Sequence, residues 1–104
     1  MIFSSAIMGA DPATGKWPQD AEQQVILAFR NMASVIELGG GKVGDIGRVT
    51  LLIDNEGVRK LIDPVWVEWF PDELDRPARH IVCSPLRSGL VIQIEFIAVL
   101  ESAS

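Results

Sequence analysis

An α+β fold with the element order β-α-β-α-β-β is predicted for this chain by three observations. Residues 20–38 carry a helical stripe. Residues 46–54 form a β-branched apolar run. Residues 90–100 alternate like a strand yet are largely apolar on both faces. At 104 residues the whole chain, 1–104, is expected to be a single domain.

The opening residues Met1 to about Met8 read as a short strand, followed by a Gly/Pro-containing loop over 9–15. Asp20 is placed to cap the first helix, and Gln23 three residues later completes a capping-box pattern. Val25, Phe29, Met32 and Ile36 then recur at helical spacing, which gives the helix one buried face. Gly39-Gly40-Gly41 ends it, because glycine takes the left-handed C-terminal conformation without a Cβ clash. Residues 46–54 follow as a central strand. A second helix is expected from about Glu56 to Phe70, with a break at Pro64 and Asp63 capping a new first turn. Residues 71–77 are a loop, 80–84 a short strand, 85–89 a turn and 90–100 a long strand.

In that last strand Leu90, Ile92, Ile94, Phe96, Ala98 and Leu100 form one face. Val91, Gln93, Glu95, Ile97 and Val99 form the other. A strand with one solvated face alternates cleanly between apolar and polar residues, and this one does not. Two helices on one face of the sheet and a subunit interface on the other account for the pattern. The composition agrees with that: 48% of residues are hydrophobic and the mean hydropathy is +0.25, high for so small a domain.

The net charge is −5 and the pI about 4.7, so phosphate backbones are repelled and nucleic acid is not expected as a partner. Cys83 is the single cysteine, which excludes an internal disulfide and fits a reducing cytoplasm. The first residues carry neither a basic leader pattern nor a membrane-length apolar run, so no membrane association is expected. With one histidine and one cysteine no zinc cluster is expected, and no metal site. Gly39-Gly40-Gly41-Lys42 follows its helix and lacks the Ser/Thr after lysine, so it is not a phosphate loop. Trp17, Trp66 and Trp69 read as packing residues.

Three stretches resemble the YjgF-type Rid family of reactive intermediate deaminases. They are Gly41-Lys42-Val43-Gly44-Asp45-Ile46, Arg76-Pro77-Ala78-Arg79, and the terminal strand Ile92-Gln93-Ile94-Glu95-Phe96-Ile97-Ala98. The resemblance implies a chorismate-mutase-like fold, a homotrimer and clefts between subunits. It implies cofactor-free hydrolysis of small imines or enamines bearing a carboxylate, giving 2-keto acids and ammonia. It also implies that Arg79 and Ser5 bind substrate, and that Gln93 stands where the family carries the acidic residue thought to handle the attacking water. Relative to that pattern the chain begins without the family's first strand. A non-catalytic trimer that binds keto acids or a partner is the alternative function.

The residues themselves leave options open. Arg79 can clasp a carboxylate through two parallel hydrogen bonds, or pair with Asp72, Glu73 or Asp75. Gln93 and Glu95 share a strand face, roughly 6.5–7 Å apart. Burial raises a carboxyl's pKa, so Glu95 is a candidate general base, or a partner for Arg48 or Arg79 across the sheet. Gln93 does not titrate, but can position a water or a substrate oxygen. Ser5 lines a pocket or covers a strand edge. Cys83 reads as a small buried hydrophobe, and His80 as a structural or surface residue on the face of its strand opposite Arg79.

Overall fold

The structure, a computed structural model, describes residues 1–100. Among them are the strands β1 (Ile2–Phe3), β2 (Ile7–Met8), β3 (Ile46–Ile53), β4 (Ala78–Cys83) and β5 (Ile92–Ala98), and the helices α1 (Ala21–Leu38) and α2 (Arg59–Trp69). No helix among the described residues is long and apolar enough to cross a membrane.

Helix α1 forms where the apolar stripe lies, and Val25, Phe29, Met32 and Ile36 are fully buried. Its C-terminus closes on Gly40 at φ 87°, with the amide of Gly40 donating to Glu37 O and that of Gly41 to Ile36 O, both at 3.0 Å. That is the pattern the glycine run predicts. The N-terminus departs from expectation. Asp20 takes the cap position in extended backbone, but its side chain makes no capping bond.

Gln24 anchors this end instead. Its amide nitrogen donates to Pro18 O (2.8 Å) and Gly89 O (2.7 Å), and its amide oxygen accepts from the Val91 amide (3.0 Å). The buried amide thereby ties the helix start to the turn entering β5. Gly9 is also buried, against the Gln24 carbonyl, at a distance that leaves no room for a Cβ. Gln24→Ala strands one buried donor and two carbonyls and is expected to cost on the order of 2–4 kcal/mol. Urea unfolding measures it, and a loss below about 1 kcal/mol would show that water replaces the amide readily.

Helix α2 is continuous through Pro64 rather than broken there. A 3₁₀ turn at Glu56–Val58, capped by the Asn55 side chain, leads into it. Val58, Ile62, Val65 and Trp66 bury one face, which holds the helix together across the proline. Pro64 and Lys60 are both exposed, so the carbonyl that proline leaves without its usual donor lies on the solvent side. Asp63 therefore caps nothing.

The sheet runs β1-β5-β3-β4, with β2 also pairing to β5. The β3–β4 pair is parallel, joined through α2, and the other pairs are antiparallel. Leu51 aligns with Ile94 and Ile81, and Val49 with Phe96. Together with Ile53, Ile92 and Ala98 they build the face buried under the helices. No helix covers the opposite face. Leu52, Gln93 and Ile97 are half-buried there, while Phe3, Arg48, Glu95 and His80 are exposed.

The opening segment is two short strands, not one. Ile2 faces Ala98 and Ile7 faces Ile94, both on the core side, although they lie an odd number of residues apart. Strand alternation forbids that without an extra residue, and three residues (Ser4 to Ala6) span the gap where β5 uses two. The result is a bulge opposite Glu95.

Candidate functional site

The face without helices carries the polar centre of β5. Gln93 pairs with Leu52 and Met8, and Glu95 with Thr50 across β3. A shallow cavity of about 150 Å³ opens at this place, lined by Phe3, Ser4, Arg48, Thr50, Glu95, Phe96 and Ile97. Its floor is rigid, because Ser4 locks to β5 twice. The Phe96 amide donates to Ser4 Oγ at 2.8 Å, and the Ser4 amide donates to Phe96 O at 2.9 Å. Ser4 is thus held in the wall, while Ser5 is exposed in the bulge beside it.

Ser4 and Thr50 were not singled out from the sequence, and Arg48 only as a partner for Glu95. Two signals could have found them. The odd spacing of Ile2 and Ile7 implies the bulge that turns Ser4 inward. Arg48 and Thr50 are the polar members of a strand whose alternate residues Val49, Leu51 and Ile53 are core. Glu95 is exposed and, among the described residues, makes no ion pair with Arg48 or Arg79. A single chain therefore leaves Glu95 unburied and without the expected arginine partner.

Arg79 stands elsewhere. Its register partner is Val49, so it projects from the edge strand β4 on the helix side, opposite to Gln93 and Glu95. Its Nη1 donates to Asp63 Oδ1 at 2.9 Å, and its guanidinium lies 5.2 Å from the centre of the Trp66 ring. The ion pair is thus with Asp63 of α2 and not with Asp72, Glu73 or Asp75. Trp66 is itself fixed edge-on against Phe29 (6.3 Å, 80°) and tilted against Phe70 (4.6 Å, 49°). The arginine rests on a rigid aromatic plate, which orients its planar fork. One chain sets Gln93 and Glu95 on one face, with Glu95 but neither Gln93 nor Ser5 lining the cavity, and leaves Arg79 apart.

Along the same outer edge Arg59 bonds Glu56 (3.0 Å), and that hydrogen bond and charge hold the Glu56 carboxyl below its usual pKa and raise that of Arg59. Asp63 stands one turn further along the helix and adds to the stabilisation of the Arg59 charge. Cys83 ends β4 and is exposed, not buried, at the edge of the sheet. His80 is exposed on the open face beside Thr50, as its alternation with Arg79 predicts.

Comparison with known proteins agrees with this geometry. The family model described as Endoribonuclease L-PSP matches residues 1–100. A RutC family protein of Aquifex aeolicus is 31% identical over 99 residues, covering 94% of this chain and 79% of that protein. The 2-iminobutanoate/2-iminopropanoate deaminase of Escherichia coli is 30% identical over 101 residues, covering 95% and 79%. Among solved structures, E. coli TdcF with bound serine superposes with a TM-score of 0.85 at 29% identity, covering 95% of this chain and 80% of TdcF. A Thermotoga maritima protein gives 0.86 at 30% identity, with 96% and 79% covered. With the family model matched over nearly the full length and the same two-helix mixed sheet in these relatives, the chain belongs to the YjgF/RidA family, the endoribonuclease L-PSP group.

Proposed function

We propose that this protein hydrolyses small imines or enamines that carry a carboxylate, releasing a 2-keto acid and ammonia, in clefts formed between the subunits of a homotrimer. The observation that carries the reading is the division of the site. Arg79, the carboxylate anchor, and the Gln93–Glu95 pair occupy opposite faces of one sheet, and the latter lies on a half-apolar face that no helix covers. A neighbouring subunit packed on that face would bring its own Arg79 to Gln93 and Glu95. The relatives named as imine deaminases support the reaction class. The serine bound to TdcF supports a small carboxylate-bearing ligand.

In this mechanism Arg79 holds the substrate carboxylate and Trp66 keeps the guanidinium in place. Gln93, with Ser5 beside it, directs a water at the imine carbon. Water adds to the C=N bond, the nitrogen takes up protons, and ammonia leaves the tetrahedral carbon as the keto acid forms. Without a base at position 93, alignment of water and imine supplies the gain, so turnover is expected to be slow. No cofactor or metal enters these steps. A cytoplasmic setting suits the single unpaired cysteine.

Arg79→Ala is expected to abolish binding of pyruvate and 2-ketobutyrate with little loss of fold. A desolvated charge-assisted clasp contributes about 1.5–3 kcal/mol or more per bond, against less than about 1 for an exposed ion pair. Calorimetry on both proteins tests it, and equal affinities would reduce Arg79 to the structural partner of Asp63. A second reading, binding of keto acids without turnover, is favoured by the amide at position 93, which cannot take a proton. Turnover of 2-iminopropanoate separates the two.

A further inference from the structure

The ion pair to Asp63 gives Arg79 a neighbour with consequences for what it binds. The Asp63 carboxylate sits 2.9 Å from Nη1, and its side chain is 59% exposed while that of Arg79 is 33% exposed. Asp63 therefore occupies one corner of the guanidinium and leaves the rest of the fork available to a ligand. Of the other cations near this edge, Arg59 is already bound to Glu56, and Arg76, in the loop entering β4, donates to Phe70 O at 2.7 Å. The loop entering β4 adds the exposed carboxylates of Asp72, Glu73 and Asp75. A ligand carboxylate held by Arg79 thus meets a local charge close to neutral, with further negative charge around it.

We propose that Asp63 sets the charge selectivity of the Arg79 clasp, so that 2-imino and 2-keto acids with one carboxylate are admitted and those with a second are disfavoured. This rests on the reading of Arg79 as the substrate anchor. The physical reason is Coulombic. A second carboxylate a few ångströms beyond the first lies within about 10 Å of Asp63, inside the screening length at ordinary ionic strength. Like charges at that range, one of them on the solvent-exposed Asp63, repel by on the order of 0.5–1 kcal/mol, or roughly a two- to fivefold change in affinity. Trp66 beneath the guanidinium keeps Asp63 and Arg79 in a fixed relation, so the repulsion cannot be relieved by swinging the arginine away.

The test compares ligands that differ in charge and little in shape: 2-oxoglutarate and its 5-methyl ester, with pyruvate as reference. In the intact protein the ester should bind several-fold more tightly than the diacid. Asp63→Asn keeps the side-chain shape and removes the charge. It should tighten the diacid more than the ester, shrinking their ratio about two- to fivefold. In the wild type the ratio should also fall towards one as salt rises to 1 M, which tests the same repulsion without a variant. A ratio unmoved by both Asp63→Asn and salt overturns the proposal while leaving Arg79 as anchor. Failure of the wild type to bind pyruvate, or binding indifferent to Arg79→Ala, overturns the anchor reading and this inference with it.

Discussion

Gln93→Glu is expected to raise the rate of 2-iminopropanoate hydrolysis on the order of 10²–10⁴-fold, from a wild type that is slow or inactive. A positioned general base typically contributes that much, and the wild-type amide cannot act as one. The backbone already presents this position well: it lies mid-strand on β5, paired to Leu52 on one side and Met8 on the other. The introduced carboxylate would stand two residues from Glu95 on the same face, roughly 7 Å away. That like-charge neighbour raises the pKa of the introduced group. A raised pKa keeps the base protonated at low pH, so the gain should appear as pH rises and be largest above neutrality. Generating the imine with an amino-acid oxidase and trapping it with semicarbazide measures the rate. A wild type as fast as other deaminases of the family would mean that Glu95, or a group from a neighbouring subunit, already handles the water.

The second large effect concerns assembly. Ile97→Asp is expected to dissociate the proposed trimer or to prevent folding altogether. Ile97 is half-buried on the face that no helix covers, beside Phe3 and Arg48. Burying an unpaired carboxylate in a subunit interface costs several kcal/mol, enough to undo a contact that is close to balanced. Sedimentation equilibrium at micromolar concentration should give three times 11.4 kDa for the wild type and a smaller or unfolded species for the variant. A wild type that sediments at 11.4 kDa refutes the interface argument outright.

How far the sequence reached can be judged from particular residues. Both helices, the central and terminal strands and the family were legible, because apolar periodicity and the Pro-Ala-Arg and terminal-strand patterns are local signals. The strand expected over 90–100 spans Ile92–Ala98, with one face in the core and the other covered by no helix among the described residues. What failed was set by tertiary contacts. Gln24, a buried amide bonded to the chain 65 and 67 residues away, carries no local mark, and it displaced the capping role given to Asp20 and Gln23. Pro64 broke nothing, because the buried side of α2 outweighs one missing hydrogen bond. The partner of Arg79 was sought in the adjacent loop and found one helix away, since strand parity turns the arginine towards α2. The same parity puts Arg79 and Gln93 on opposite faces, a fact readable only once β3 and β4 are known to be parallel.

That separation makes a shared site the central claim, and mixing subunits tests it most directly. The double variant Arg79→Ala with Gln93→Glu carries the base without the anchor, while the wild type carries the anchor without the base. Each alone should hydrolyse 2-iminopropanoate slowly. Co-expressed or refolded together, they should form mixed trimers in which the anchor of one subunit faces the base of the next, and the rate should rise well above the sum of the two. A mixed preparation, with exchange verified by native mass spectrometry, whose rate equals that sum would contradict a site divided between subunits.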